Sequence, residues 1–295
     1  MRLHSAQKGG FSVSNQRRGR RAARLLLTVL LLAGFAWYEN DTLQLSRFTA
    51  VNALLPNCFR GFRLAVLSDL HGKEFGTCNA ELVDRLSKEN PDLIAICGDL
   101  CDRGDDPERL RSMLVGLVKI APVYYVTGNH EWSMDTAARE ALFSLLSECG
   151  VTRLRNEYRL LTKCGQSIVL AGVDDPNGPA DQKTPAELVS EIRSGCGQDA
   201  YVLMLSHRND QMELWSRLGV QLVLSGHAHG GVVRLPYLGG VFGTRGELFP
   251  EYDAGFYRER GTALYVSRGL GQTRWLPVRL LNRPELPLVT LVPAP

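Results

Sequence analysis

Five short apolar runs in this chain each end in an acid, an amide or a histidine. Phe62 to Ser68 runs into Asp69-Leu70-His71, Leu93 to Cys97 into Gly98-Asp99, and Val123 to Thr127 into Gly128-Asn129-His130. Tyr201 to Ser206 runs into His207, and Gln221 to Ser225 into Gly226-His227-Ala228-His229. Runs of this length, bounded by glycine and polar residues, are the pattern of strands covered on both faces. In open α/β sheets ligands bind beyond the carboxyl ends of the strands, so these polar residues stand where chemistry is done. Five of the six histidines sit at such ends, which scattered placement does not produce. Taken singly, each has an ordinary alternative. Asp69 or Asp99 reads as a loop carboxylate or helix cap, and His130 or His207 as a hydrogen-bonded structural histidine. Their recurrence along one chain outweighs those alternatives.

Between the runs, helical patterns alternate with strands, the mark of an α/β fold. Asn79 can cap a helix carrying Leu82, Val83 and Leu86 on one face; Leu110 to Val118 and Ala141 to Leu146 repeat the pattern. Lys163-Cys164-Gly165-Gln166 joins two short strands in a hairpin. Thr184-Pro185-Ala186-Glu187 is a capping box with proline at the first helical position. From Gly230 onward glycine, proline and short strands dominate, so the tail is expected to complete a sheet. Leu43 to Val51 reads as an additional strand, and residues 44–295 as one domain.

The charge is unevenly spread. Residues before Glu39 carry seven basic side chains and no acid, while the whole chain is +3, which leaves the remainder at net −4. A mildly acidic body argues against a nucleic-acid partner. The basic arm, residues 1–24, leads into residues 25–38, Leu25 to Tyr38, which no charge interrupts. That stretch reads as a transmembrane anchor or signal segment. It is shorter than the roughly 20 residues of a spanning helix, so a signal peptide cut near Gly34 and Ala36 is the alternative. Trp37 and Tyr38, as interfacial residues, favour the anchor, and the one-sided basic flank argues against a buried core helix. Because positive charge stays cytoplasmic, the expectation is a single-pass cell-membrane protein with its catalytic body on the extracytoplasmic side. Arg17-Arg18 and Arg20-Arg21 are compatible with twin-arginine export.

Seven cysteines with no C-x-x-C pair spell neither a zinc knuckle nor a disulfide framework. Cys97 and Cys101 flank Asp99 but read as small core residues. The other donors are Asp69, His71, Asp99, Asn129, His207, His227 and His229. This mixed oxygen and imidazole set suits Mn, Fe, Zn or Co better than Mg or Ca. Seven donors exceed the need of one ion. Two ions about 3.5 to 4 Å apart, bridged by a carboxylate, would use them all and hold a hydroxide for in-line attack on phosphorus.

Asp69-Leu70-His71, Gly98-Asp99-Leu100-Cys101-Asp102, Gly128-Asn129-His130-Glu131, His207 and Gly226-His227-Ala228-His229, in that order, resemble the full signature of the calcineurin-like metallophosphoesterases. With the basic anchor in front, and with Gly230 to Pro236 and Tyr265 to Gly271 behind, the chain is most similar to the bacterial membrane-associated YaeI/YkuE-type phosphodiesterases. The resemblance implies an α/β fold, a two-sheet β-sandwich flanked by helices, with the site at the strand ends. It implies that Asp69, His71 and His229 hold one divalent metal, that Asn129, His207 and His227 hold a second, and that Asp99 bridges them. His130 would protonate the leaving oxygen or stabilise the charged phosphoryl group, with Asp102 orienting it. Arg103 stands where some relatives contact phosphate.

The pattern departs from many relatives at Asn209, where they carry proline, and at Val232, where they carry glutamine. Neither is a ligand position; both bear on the substrate mouth. Glu131 reads as loop support and Asn156 as a turn residue; Trp132 and Phe256 could form an apolar lip for a lipid, but exposed aromatics usually have no such role. The leading functional expectation is a phosphodiesterase acting on a phospholipid or other envelope substrate. Cleavage of a nucleotide-linked lipid such as UDP-2,3-diacylglucosamine is a narrower alternative. A membrane-tethered phosphate-binding protein without turnover is disfavoured, because such a binder needs neither His130 nor Asp102.

Overall fold

The computed structural model describes residues 12–273 and 277–295. The apolar runs form strands that stop within about two residues of their polar ends. In chain order the elements are α1 (Ser12–Asp41), β1 (Gln44–Asn52), β2 (Arg63–Leu67), α2 (Ala80–Glu89), β3 (Leu93–Cys97), α3 (Arg111–Val118) and β4 (Val123–Val126). Next come α4 (Asn129–Ser133), α5 (Thr136–Glu148), β5 (Thr152–Arg153), β6 (Glu157–Lys163), β7 (Gln166–Gly172), α6 (Pro185–Cys196) and β8 (Val202–Leu205). The remainder is α7 (Met212–Arg217), β9 (Leu222–Ser225), β10 (Arg234–Leu235), β11 (Gly239–Gly240), β12 (Gly255–Glu259), β13 (Thr262–Val266) and β14 (Glu285–Pro293).

One six-stranded sheet has the order β1-β14-β2-β3-β4-β5 and the other β12-β13-β9-β8-β7-β6. β2 to β5 run parallel, as do β7, β8, β9 and β13. The strands are apolar on both faces because both faces are covered. Leu64, Val66, Ala95 and Cys97 of the first sheet meet Leu203, Leu205, Leu222 and Leu224 of the second in a central core. The outer face of the first sheet packs Ile94, Ile96 and Tyr125 against Leu82, Leu114 and Leu145 of α2, α3 and α5. The outer face of the second packs Val202, Met204 and Val223 against Ile192 and Trp215 of α6 and α7. Each fully buried leucine contributes about 1.5 to 3 kcal/mol by area, and the layers stack α-β-β-α.

The expected tail completes both sheets. β12 and β13 extend the second, while β14 inserts between β1 and β2 of the first, parallel to one and antiparallel to the other. Thr184 caps α6 as expected, with Thr184 N donating to Glu187 Oε2 at 2.8 Å and Glu187 N to Thr184 Oγ1 at 3.2 Å. Asn79 departs from its expected role. It takes a left-handed φ of 63°, and its Oδ1 accepts from Phe75 N rather than from the first turn of α2. Asparagine tolerates that conformation, and closing the preceding loop wins over capping.

α1 is longer than the uncharged stretch within it. Arg20–Asp41, 22 residues, is long and apolar enough to cross a membrane. At about 1.5 Å per residue that segment reaches roughly 33 Å. Its last turn is docked on the body, where Glu39 and Asn40 are buried.

Candidate metal centre

The five polar strand ends meet on one edge of the sandwich. Asp69 N donates to Gly98 O, Gly226 N to His207 O, and His227 N to Asp69 Oδ1 at 3.0 Å, so the loops after β2, β3, β8 and β9 brace each other. The backbone bends sharply to do this. Asp69, His71, Asp99, His227 and His229 all hold positive φ, between 49° and 68°. Non-glycine residues rarely do so, and such strain gathers at functional sites. Gly128 is required by crowding, because a Cβ there would stand 2.2 Å from Asp99 Oδ1.

Glu131 supports these turns from below. Fully buried, it accepts from Asp99 N and Gly128 N through Oε2 and from Leu100 N through Oε1, at 2.7 to 3.0 Å. Burial and the charge of Asp99 push its pKa up, and the main-chain donors pull the other way. Glu131→Gln turns one acceptor into a donor facing N–H groups. The expected loss is about 2 to 4 kcal/mol, read as a melting temperature lower by roughly 5 to 10 °C. An unchanged melt would remove the supporting role.

The candidate ligand atoms form two sets. His71 Nε2 lies 3.1 Å from His229 Nε2, which is 3.6 Å from Asp69 Oδ1. His207 Nε2 lies 3.1 Å from both Asn129 Oδ1 and His227 Nδ1. Asp99 Oδ2 stands between the sets, 3.7 Å from His71 Nε2 and 3.2 Å from His207 Nε2. Its other oxygen accepts from His130 N at 2.9 Å. All seven sequence candidates are thus brought together.

These donors fit divalent ions. Atoms bound at about 2.1 Å to one ion lie roughly 3.0 to 3.4 Å apart in octahedral or tetrahedral geometry, close to the separations here. Two rings are oriented by their other nitrogens, His207 Nδ1 by Cys97 O at 2.8 Å and His71 Nδ1 by Asp102 Oδ1 at 2.7 Å. That turns each Nε2 lone pair inward. Burial, then His207 and Arg208, keep the pKa of His227 well below the usual range, and burial, His71 and Arg279 do the same for His229. Neutral imidazole is the ligating form. Burial also opposes charge on His207, but Asp99 and Asp69 outweigh it and lift its pKa to about 10. Two buried carboxylates therefore demand positive charge at this point, which a divalent ion supplies. The residue clusters can hold two such ions.

His227 needs one adjustment. Arg208 Nη1 donates to its Nε2 at 3.1 Å, which places the ring proton on Nδ1. Ligation through Nδ1 requires the proton on Nε2, where Thr244 Oγ1 at 3.1 Å is an acceptor and the guanidinium is not. Arg208 must then turn aside.

His130 Nδ1 lies 2.5 Å from Asp102 Oδ1, so one carboxylate oxygen serves both His130 and His71. Burial opposes charge on Asp102, yet hydrogen bonds from the two imidazoles hold its pKa well below the carboxylate range. The side chain of His130 is 30% exposed, with Nε2 3.9 Å from Asp99 Oδ2. Arg103 sits exposed on the turn after Asp102.

Arg208 escaped the sequence reading, although it adjoins His207. Asp175 clamps its guanidinium at 2.6 and 3.1 Å, and both residues line a cavity beside His207 with Lys183 and Thr184. Only an arginine next to a candidate ligand signalled it. Asn156 is a turn residue with φ 53°, accepting from Asp174 N. The apolar lip does not form. Trp132 Nε1 donates to Thr127 Oγ1, with Arg139 over its ring, whereas Phe256 packs on Phe48 and Tyr265 between the sheets. Asn209 donates to Tyr252 O, and Val232 is buried with φ 56°. Cys97 and Cys101 are buried, and burial raises both thiol pKa values, which disfavours thiolate ligation.

Residues 62–231 match the calcineurin-like phosphoesterase family. The chain is 30% identical over 269 residues to the uncharacterized metallophosphoesterase YkuE of Bacillus subtilis (strain 168), covering 88% of this chain and 89% of that protein. It is 31% identical over 249 residues to a transmembrane protein with metallophosphoesterase domain from Danio rerio, covering 80% of this chain and 54% of the relative's length. It is 27% identical over 235 residues to phosphodiesterase YaeI of Escherichia coli (strain K12), covering 78% and 82% of the two chains. With its strand-end donors gathered into two clusters and this match over more than half its length, the chain belongs to the calcineurin-like phosphoesterases, a family of metal-dependent hydrolases.

Proposed function

We propose that this protein is a dinuclear metal-dependent phosphodiesterase tethered to a membrane. The observation that carries this is the position of Asp99 Oδ2, within 3.7 Å of an inward-facing nitrogen in each donor set. In this reading Asp69, His71 and His229 hold one divalent ion, Asn129, His207 and His227 the other, and Asp99 is shared. Such ions supply Lewis-acid charge to phosphoryl oxygens and make water more acidic.

His130 is the proton donor in this reading. Asp102 accepts from Nδ1, which aims the partly exposed Nε2 towards the centre. As water oxygen joins phosphorus and the P–O bond to the leaving group breaks, Nε2–H passes its proton to the departing oxygen, and the proton shed by the attacking water restores Nε2–H for the next turnover. Asp102 stays ionised and stabilises the imidazolium before that transfer. Arg103 is proposed as a phosphate contact. The diester preference is supported by the similarity to phosphodiesterase YaeI. The span-capable helix favours a phospholipid or envelope-associated substrate, and the basic residues before it favour a body on the extracytoplasmic side.

The test uses the full chain in detergent, stripped with chelator and reloaded with Mn²⁺. Hydrolysis of bis(p-nitrophenyl) phosphate is expected to vanish with the metal, return with Mn²⁺, and exceed that of the monoester. Monoester preference would make the protein a phosphatase. Two bound ions with no turnover of either ester would overturn the enzyme reading.

A further inference from the structure

Outside α1, large apolar side chains are exposed in few places. Among the described residues of the body twelve stand out, and eight of these lie between Leu235 and Phe249 or between Val278 and Leu281. Single exposed leucines need no explanation, but a concentration of them marks a contact surface. The two segments run side by side, with Arg234 N donating to Leu280 O at 3.0 Å and Val233 bridging to Leu280. Leu235, Tyr237, Leu238 and Leu281 line one open cavity, and Tyr237 is fully exposed on the connection between β10 and β11. Tyr237, Phe249 and Leu281 hold φ of 68°, 53° and 52°. Bulky residues seldom adopt this conformation, so backbone strain accompanies the outward placement of these side chains.

The same surface grips the end of α1. Asn40 Oδ1 accepts from Arg279 N at 2.6 Å and from Gln272 Nε2 at 2.9 Å, and Glu39 Oε2 accepts from Asn282 N at 2.9 Å. Arg283 donates to Tyr38 Oη at 2.9 Å and lies 4.3 Å from the centre of its ring. Leu280 and Leu281 are therefore bracketed by residues bonded to positions 38 to 40. There the exposed aromatics Trp37 and Tyr38 close the apolar stretch, at the level where a spanning helix meets lipid headgroups.

We propose that the β10–β11 hairpin and residues 278–281 form a second membrane contact that lies on the bilayer beside α1. This rests on the reading of α1 as a membrane segment. The occupant is a lipid bilayer because the patch is continuous with the end of the helix that would enter it. A second contact fixes the orientation of the body, which one helix alone leaves free to swing. It also bears on the metal centre. Asn282, bonded to Glu39 through its main chain, donates its side-chain amide to His229 O at 2.8 Å and Val232 O at 3.0 Å. One residue thus joins the anchor to a candidate ligand, which holds the rim of the site near headgroup phosphates.

The experiment uses the full chain in vesicles of phosphatidylcholine and phosphatidylglycerol, carrying p-benzoylphenylalanine in place of Tyr237, Leu281, Leu30 or Leu160. Lipid adducts are read by mass spectrometry after irradiation. Leu30 lies in α1, and Leu160 is exposed on β6, an edge strand of the second sheet. Adducts at Tyr237 and Leu281 are expected at roughly fivefold or more above those at Leu160. Adducts at Leu30 with Tyr237 and Leu281 no higher than Leu160 would overturn the surface contact and leave the anchor standing. No adducts at Leu30 would overturn the reading of α1 itself.

Discussion

Asp99→Asn is expected to leave the protein folded with one divalent ion fewer per chain and with diester turnover lower by ~10³-fold or more. The substitution keeps volume and can keep the Oδ1 acceptor that His130 N uses. It replaces Oδ2, the atom facing both donor sets, with an amide nitrogen that presents hydrogens where lone pairs are needed. It also removes the charge that, with Asp69, lifts the pKa of His207. Elemental analysis of gel-filtered protein after reloading gives the stoichiometry directly. An unchanged metal content would refute the shared-ligand assignment, whatever happened to turnover.

His130→Ala is expected to do the opposite, keeping both ions while turnover falls by ~10²-fold or more. The ring meets His71 edge to face, with centroids 4.6 Å apart, but lends no atom to either proposed ligand set, and Asp102 still orients His71 without it, so both ions are expected to stay. The loss should depend on the leaving group. A nitrophenolate departs without much help, whereas an alkyl oxygen needs a proton. A loss confined to poor leaving groups identifies His130 as the acid, while full turnover on an alkyl diester would refute that role. Asp102→Asn carries a wider effect, because the same oxygen also orients His71.

Much of the site was legible because its residues are local in sequence, each a step or two beyond an apolar run. The strand at Leu93–Cys97 and the capping box at Thr184 follow from periodicity and short-range hydrogen bonding, which neighbouring residues decide between themselves. The inward packing of Phe256 was not legible, because exposure depends on what lies opposite. Half-buried, it packs against Phe48 of one sheet and Tyr265 of the other. Arg208 was passed over because its partners Asp175 and His227 lie 33 and 19 positions away, and no local pattern joins them to it.

By itself the sequence determined the α/β class, the seven candidate donors and an apolar segment behind a basic arm, because each is written in periodicity, composition or short motifs. Tertiary structure alone decided that β14 inserts between β1 and β2 of the first sheet, that Asp102 serves two histidines, and that Asn282 ties α1 to the loop of His229. Those facts depend on contacts between residues up to about 240 positions apart. Such contacts form only when burial of the three cores brings distant strand ends together, a choice that no stretch of the chain makes alone.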